Sequence, residues 1–341
     1  SEAQSQASSP TVDEVVIGFE DAERGVVDRL TRGAMERDII PIVGMAGLGK
    51  TTLAKEVFNN PTVTSHFYVR AWCCISQVYN KRQLLLDILS QISETTDQIQ
   101  KKDAEDVALE LRKRLKRRRY LIVMDDLWDI EAWNDLRDSF PNDNNGSRVL
   151  FTSRLEDVAF EAKSGCKPYF LHLLSSIQSW ELLELKLFGK EGCPPSLQEV
   201  GMEIARKCDG LPLSVVVIAG LLATTEKTPL SWEQVSRNLS SHIVTDPQMG
   251  CLRVLELSYL HLPDYLKKCF LYFAAFPEDH EIPVSKLSRL WIAEGFLQET
   301  GVKRLEDAAE DCLLDLIHRS LVIVAKTRSD GRVRSCRIHD L

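Results

Sequence analysis

The sequence predicts a doubly wound parallel α/β sheet followed by two helical regions, the second of which ends in a β-hairpin. Segments with helical spacing separate most of the predicted strands, and this alternation favours right-handed crossovers between parallel strands. One further short strand is expected around Tyr169–Leu173, after which the apolar spacing becomes helical. The short apolar, β-branched runs that are typical of buried parallel strands lie at about residues 39–43, 67–75, 121–125 and 147–152.

The first apolar run leads directly into a glycine-rich loop. Residues 44–51 match the pattern G-x-x-x-x-G-K-[ST], and a helical segment continues from Thr52. Glycines let consecutive backbone N–H groups surround an anion, and the new helix adds its positive N-terminus. In this pattern Lys50 reaches the β- and γ-phosphates of a nucleotide, and the Thr51 hydroxyl binds Mg²⁺. A glycine-rich turn with an incidental lysine is the alternative, but the flanking strand and helix favour a nucleotide-binding P-loop NTPase fold.

Two carboxylates, Asp125 and Asp126, end the apolar run that begins at Leu121. Open α/β sheets bind ligands at the carboxyl ends of their strands. Asp125 is therefore expected to hold Mg²⁺ through water, and Asp126 to orient a hydrolytic water. A strand that merely ends in an acidic turn is the alternative.

Arg154 follows the next apolar run and is expected at the same edge of the sheet. A guanidinium at this position could sense the γ-phosphate of a nucleotide. An exposed arginine at the end of a strand is the alternative, and the spacing does not separate the two interpretations.

Four helical segments between about residues 179 and 239 predict a small bundle. The turn at residues 209–213 joins two of them, because Gly210 suits the end of one helix and Pro212 the first position of the next. Pro212, Leu211 and Leu213 are therefore expected to be exposed at a rigid corner. They could form a flat apolar wall for an aromatic base; a packing corner is the alternative.

Four more helical segments precede two alternating runs, at residues 321–324 and 333–338, which flank the turn signal Ser329-Asp330-Gly331. Helices followed by a β-ribbon predict a winged-helix fold, which often binds DNA. The last helical segment and its ends carry five acidic and three basic side chains. Such a surface repels phosphate, so we interpret the winged helix as structural.

Composition excludes several classes of protein. The 341 residues are enough for two or three domains, and the net charge of −8 gives no global sign of a nucleic-acid or anionic-membrane partner. The nine cysteines are odd in number and form no C-x-x-C pair, which argues against a disulfide framework or a zinc site and favours a reducing compartment. The longest apolar run, residues 211–223, is too short to cross a bilayer.

One basic run, residues 112–119, stands out in this acidic chain. It falls at the C-terminal end of a predicted helix, where cations complement the helix dipole and remain solvated. We favour this interpretation over nucleic-acid binding.

The predicted organisation has four parts: a linker over residues 1–12, a nucleotide-binding domain over 13–173, a helical domain over 174–246 and a winged-helix domain over 247–341. Both ends of the chain are expected to be cuts from a longer protein, and no signal peptide is predicted.

Nine segments follow one another along this chain: GMAGLGKTT, RAWCCISQ, LIVMDDLW, GSRVLFTSR, LHLLSSIQSWELLELKLFG, GLPL, LSYLHLP, CFLYFAAFPEDHEI with LWIAEGF, and IHDL. Together and in this order they resemble the NB-ARC nucleotide-binding switch of plant intracellular immune receptors, the coiled-coil class of NLR proteins. The resemblance runs from about residue 13 to the last residue. The amino-acid sequence around DDLWDIEAW and SRVLFTSR is most similar to that of the NRC helper group of solanaceous plants.

The resemblance implies a STAND/AAA-like architecture and a switch that ADP holds off and ATP turns on, with Mg²⁺ accompanying ATP. Asp125 and Asp126 would serve Mg²⁺ and hydrolysis, with Thr51 as the other metal ligand. Arg154 would sense the γ-phosphate, and His339 would bind the β-phosphate of ADP. The remaining nucleotide contacts implied are Val16 and Ile17 on the adenine, Pro212 on the base, and Gly47, Leu48, Gly49, Lys50, Thr51 and Thr52 on the phosphates.

The resemblance also implies a cytoplasmic protein that acts in defence and hypersensitive cell death. Its partners would be its own coiled-coil and leucine-rich-repeat regions, other NLR receptors and, on activation, further copies of itself; nucleic acid and membrane are not expected for this segment, which is expected to be monomeric in isolation. Any ATPase activity would be slow and would reset the switch. A general AAA-like ATPase and a nucleotide-gated DNA-binding regulator are the alternatives.

Two positions depart from the family's usual pattern. Ile338 replaces the methionine of Met-His-Asp, and the segment usually written Thr-Thr-Arg is Thr152-Ser153-Arg154. The first change keeps an apolar side chain and the second keeps a hydroxyl and the arginine, so both are expected to be tolerated.

Overall fold

The computed structural model describes residues 17–77, 79–162, 167–239, 247–277, 280–297 and 304–339. The predicted linker, Val16 and Asp340 lie outside the described residues. The chain forms two compact units. The first contains residues 18–45 and 49–172, and the second contains residue 17, the loop stretch 46–48 and the chain from residue 173 onward. The predicted division into three domains after the linker stays a prediction.

The first unit is built on a five-stranded sheet in which all neighbouring strands are parallel, in the order β2-β3-β4-β1-β5. Every residue of β3 and β4 is buried, as predicted for two central parallel strands. The predicted doubly wound parallel sheet is therefore confirmed. The strands are β1 (Asp38–Val43), β2 (Val69–Cys74), β3 (Tyr120–Asp125), β4 (Arg148–Ser153) and β5 (Tyr169–Phe170).

The helices of the first unit are positioned by polar caps. The side chains of Asn60, Asn80, Asp103 and Asp129 each accept a hydrogen bond from a backbone N–H in the first turn of the helix that follows. These caps fix the points at which four of the helices begin. The helices are α1 (Glu20–Arg32), α2 (Lys50–Asn59), α3 (Pro61–His66), α4 (Lys81–Ile92), α5 (Asp97–Gln100), α6 (Ala104–Leu115), α7 (Ile130–Leu136) and α8 (Glu156–Ala162).

The register of the sheet brings three strand ends to one edge. Val43 pairs with Ser153, and Met124 pairs with Phe151, so β1, β3 and β4 end at nearly the same level. The glycine-rich loop follows β1, and Asp125 and Asp126 follow Met124. The start of the glycine-rich loop, Asp125 and Asp126 therefore lie at the same end of the sheet.

The second unit begins with helices and ends with a small antiparallel sheet in the order β6-β8-β7. The hairpin of β7 and β8 matches the predicted ribbon, whereas β6 was not predicted because it is only two residues long. None of the described helices is long and apolar enough to cross a membrane. The elements are α9 (Ser176–Phe188), α10 (Pro195–Arg206), α11 (Pro212–Ala223), α12 (Pro229–Leu239), α13 (Pro247–Leu260), α14 (Asp264–Leu271), β6 (Ile282–Pro283), α15 (Val284–Ala293), α16 (Leu305–His318), β7 (Val322–Thr327) and β8 (Val333–Ile338).

Helix α11 is the core of the second unit. Nine of its twelve residues are buried, and it has no polar face. At Gly220 the backbone of the chain after α16 comes so close that a Cβ atom would lie 2.2 Å from the carbonyl oxygen of Arg319. Only a glycine fits here, because real side chains do not approach a backbone atom this closely.

Replacement of Gly220 by alanine should therefore destabilise the second unit by about 1–3 kcal/mol, since the new methyl group overpacks a backbone contact. Gly250→Ala is the matched control. It places a methyl group at the fourth residue of α13, 3.7 Å from the nearest atom outside that helix, and should be neutral or stabilising by up to about 1 kcal/mol. Thermal unfolding followed by circular dichroism measures both; equal melting temperatures for the two variants would contradict the close approach.

Candidate nucleotide-binding site

The glycine-rich loop has the backbone that a phosphate-binding loop requires. Gly47 and Gly49 both have positive φ angles, +78° and +89°, in the left-handed region that favours glycine. Gly49 is the residue immediately before α2, and a Cβ atom there would lie 2.6 Å from the ring of Phe19. The loop is therefore packed on an aromatic side chain. Phe19 was not predicted to matter, although its place at the end of an apolar segment just before α1 was a signal.

Lys50 and Thr51 occupy the first turn of α2. The Lys50 side chain is almost fully buried, and its Nζ donates a hydrogen bond of 3.0 Å to the carbonyl oxygen of Met45, within the loop. Thr52 follows and is half-buried. An ammonium group held inside the loop is positioned for the phosphate oxygens of a nucleotide.

The carboxylate of Asp125 is the centre of a hydrogen-bond network. Its Oδ1 accepts from the Thr51 hydroxyl at 2.9 Å and from the Thr152 hydroxyl at 2.7 Å. Thr152 Oγ1 in turn accepts from the backbone N–H of Asp126 at 2.8 Å. Asp125 is only 2 % exposed. The structure thus brings together the two residues that were predicted as metal ligands, Thr51 and Asp125.

This pair fits a magnesium ion. Mg²⁺ prefers oxygen ligands and is bound in nucleotide sites by few protein groups, with phosphates and water completing its shell. A hydroxyl and a carboxylate within 2.9 Å of each other, next to the loop lysine, supply such oxygens.

Arg154 is not the exposed arginine of the alternative interpretation. Its side chain is 17 % exposed, and one guanidinium nitrogen lies 3.8 Å from Oδ2 of Asp126. The guanidinium also lies over the ring of Trp128, 4.5 Å from the ring centroid, an arrangement that attracts a cation. Asp126 itself has a φ of +58°, which is unusual for a residue other than glycine.

The GLPL turn differs from its predicted form. Leu211 and Leu213 were expected to be exposed, and this prediction was wrong: they are 0 % and 7 % exposed. The Leu213 backbone N–H donates to the carbonyl oxygen of Gly47 at 3.2 Å, and both leucines would contact a Cβ atom at Gly47. The leucines are buried because they pack on the backbone of that glycine. Pro212, the first residue of α11, is half-buried.

The remaining predicted site residues also belong to the second unit. Leu48 is buried and Ile17 is half-buried. His339 follows β8, and its Nε2 lies 2.8 Å from the carbonyl oxygen of Ser320. Because a carbonyl only accepts, Nε2 must carry the proton of this bond. A phosphate contact through Nδ1 would then require the doubly protonated imidazolium.

Thr152 is another site residue that the sequence did not identify, and it yields a prediction. Thr152→Val keeps the shape but removes the hydrogen bonds to Asp125 and from Asp126. It should cost about 1–3 kcal/mol of stability, because a buried N–H loses its partner, and it should weaken binding of Mg²⁺–ATP. Thr152→Ser keeps the hydroxyl and is the control. Calorimetric titration with Mg²⁺–ATP compares the two; equal affinities would contradict the role of the hydroxyl.

Comparison with known proteins agrees with this geometry. The family model described as the NB-ARC domain matches residues 19–193, and that of the disease resistance protein winged helix domain matches residues 275–341. Late blight resistance protein R1-A of Solanum demissum is 44% identical over 336 residues, and the homologue R1B-16 of the same species is 45% identical over 337. Each alignment covers 98% of this chain and 26% of the relative. The chain therefore spans about a quarter of the length of these relatives.

Among solved structures, a signal transduction ATPase with numerous domains (STAND) from Pyrococcus horikoshii, which has a tetratricopeptide repeat sensor, superimposes with a TM-score of 0.57 at 15% identity. The match covers 97% of this chain and 42% of that one, and it bears on the fold alone. The decisive match is the family model, which covers just over half of the chain. With its phosphate loop, its acidic strand end and this match, the chain belongs to the NB-ARC family.

Proposed function

We propose that this chain is the ADP/ATP switch of an intracellular plant immune receptor. The observation that carries the proposal is the network at the sheet edge, in which Thr51 and Thr152 share the carboxylate of Asp125 beside the buried Lys50. This network combines a phosphate cradle, a magnesium site and a carboxylate for water. The coiled-coil and leucine-rich-repeat regions, other receptors and further copies of the chain are its proposed partners in the longer protein.

The pairing of Arg154 with Asp126 suggests how the γ-phosphate is sensed. Arg154 lies 3.8 Å from the Asp126 carboxylate and over the Trp128 ring. A γ-phosphate would offer the guanidinium a second anion with matching bidentate geometry. Asp126 would then be able to accept a proton or hydrogen bond from an attacking water. ATP, which has a γ-phosphate, would thus compete with Asp126 for Arg154, whereas ADP would leave this ion pair unchanged.

The proposal also assigns nucleotide contacts to residues of the second unit. Pro212 would pack on the base, Val16 and Ile17 would contact the adenine, and His339 would bind the β-phosphate of ADP. These assignments are supported by the family resemblance. A ligand shifts a conformational equilibrium only by its difference in affinity for the two states. ADP would therefore favour the off state if His339 contacts it there and loses it in the on state.

Membership of the NRC helper group is a finer proposal. It is supported by the amino-acid sequences of two segments, DDLWDIEAW, which begins with the acidic pair, and SRVLFTSR, which ends at Arg154. The R1 relatives are 43–45% identical, which is distant enough for the chain to belong to a separate group of resistance proteins.

The first test is the nucleotide that copurifies with the protein. Denaturation and chromatography should release ADP in an amount equimolar with the chain, because a switch held off by ADP exchanges it slowly. Lys50→Ala, which removes the phosphate-binding ammonium, should release little. A folded wild-type protein free of nucleotide would overturn the proposal.

Steady-state hydrolysis of ATP should be far slower than the 1–100 s⁻¹ typical of kinases. Turnover in that range would instead support a general ATPase.

The second test separates ATP from ADP. Arg154→Gln should weaken ATP binding about tenfold, or about 1.4 kcal/mol, and leave ADP affinity nearly unchanged, because only ATP carries the γ-phosphate. Arg24→Gln, at an exposed arginine on α1, is the control and should change neither. Calorimetric titration of nucleotide-stripped protein measures both affinities. An equal loss of ATP and ADP binding would show that Arg154 does not sense the γ-phosphate.

A further inference from the structure

The β7–β8 hairpin and the start of α15 line a polar cavity of about 680 Å³ in the second unit. Its wall contains three cationic side chains, Lys326, Arg328 and Arg334, one carboxylate, Glu281, and four hydroxyl-bearing side chains. From its sequence this hairpin was expected to be purely structural. A volume of this size is in the range of small-molecule sites.

The charge of the cavity opposes that of the protein. The chain carries a net charge of −8, whereas three cations and one carboxylate line this wall. Oε2 of Glu281 accepts from Lys326 Nζ at 2.7 Å, and Oε1 accepts from the Ser335 hydroxyl at 2.5 Å. Burial alone would raise the pKa of Glu281, but these hydrogen bonds and the charges of Lys326 and Arg334 lower it. The surroundings of this carboxylate therefore favour negative charge.

Two arginines remain available to a ligand. Glu281 is occupied by Lys326, while Arg328 and Arg334 are exposed. Among the residues that the structure describes, the side chains of Arg328 and Arg334 donate no hydrogen bond. Arg328 begins the turn of the hairpin, where its backbone N–H bonds to the carbonyl oxygen of Arg332 at 2.7 Å, and Arg334 lies on β8. The turn thus fixes the backbone of Arg328 near the strand that carries Arg334.

The start of α15 adds a second source of positive potential. This ten-residue helix has Pro283 at its N-cap, a residue whose side chain cannot cap the first N–H groups. Both Pro283 and Ser285, in the first turn, line the cavity. Uncapped N–H groups and the helix dipole attract anions, phosphate above all.

The composition of the wall also limits the class of ligand. Among the described residues that line the cavity, Pro283 is the only apolar one, and none is aromatic. This wall therefore offers no ring on which a nucleobase could stack. The chemistry of guanidinium, hydroxyl and helix N–H groups matches the oxygens of an anionic ligand such as a phosphate.

We propose that this cavity binds a compact oligophosphate, with pyrophosphate as its simplest form, through Arg328 and Arg334. The cavity is a second anion site, separate in sequence from the phosphate loop. This proposal does not depend on the switch proposed above. Binding there places two negative groups between the hairpin and the start of α15 and so stabilises this part of the second unit.

The test titrates the whole 341-residue chain with sodium pyrophosphate in a calorimeter, in a Lys50→Ala background that weakens the phosphate loop. Binding is expected with a Kd of about 10–100 μM. Arg328→Gln and Arg334→Gln should each weaken it about tenfold, the loss expected for one bidentate charge-assisted contact. Glu281→Gln should strengthen it, because the substitution removes the anion nearest the ligand.

Arg332→Gln is the matched control. This arginine lies on the same hairpin but outside the cavity wall, within 4.0 Å of Glu310 and Asp330. The variant should bind pyrophosphate like the parent. Equal losses for Arg332→Gln and Arg328→Gln would mean general attraction to a basic hairpin and would overturn the site, as would no binding to the parent. Thermal unfolding confirms that each variant is folded.

Two further arms identify the ligand class. ADP should bind the Lys50→Ala chain no more tightly than pyrophosphate, because the described wall offers its base no ring for stacking. Much tighter ADP binding would overturn the assignment to a compact oligophosphate. Wild-type protein saturated with ADP should bind a second anion with the same affinity as the Lys50→Ala chain; competition between the two would place pyrophosphate in the phosphate loop instead.

Discussion

The carboxylate of Asp125 accepts hydrogen bonds from two hydroxyls that reach it from different elements, Thr51 from α2 and Thr152 from β4. Each of these hydroxyls also connects Asp125 to another part of the site. Thr51 is the residue after the loop lysine, and Thr152 accepts a hydrogen bond from the backbone N–H of Asp126, whose carboxylate is paired with Arg154. A shift of this one side chain would therefore disturb the phosphate loop, the second carboxylate and the arginine together. In a buried environment such coupling is strong, because no water is available to replace a lost partner.

The sheet could be predicted from sequence because central parallel strands are buried on both faces and contain short apolar runs, such as residues 121–124 in β3 and 149–151 in β4. The phosphate loop could be predicted because its chemistry demands glycines and a lysine at fixed spacing. Thr152 could not, since threonine is an ordinary strand residue and only the register of β4 beside β3 places its hydroxyl on Asp125. The burial of Leu211 and Leu213 was missed for a related reason: their partner, Gly47, is remote in sequence.

The winged-helix part separates its charges between two elements. Helix α16 carries the acidic residues that argue against a nucleic-acid partner, whereas the hairpin of β7 and β8 carries exposed arginines around a polar cavity. The sequence of the last helix therefore gave no information about the ribbon that follows it. Charge in a small domain is best assigned element by element, because opposite faces can serve opposite partners.

The contact between Gly220 and the backbone of Arg319 has a mechanical meaning. Where side chains meet, two elements can adjust their contact by changing rotamers. At Gly220 the backbone of α11 instead packs directly against the backbone of Arg319, with no side chain between them. If α11 and the segment that follows α16 separate, this backbone contact is lost as a whole, because no flexible side chain bridges the two elements.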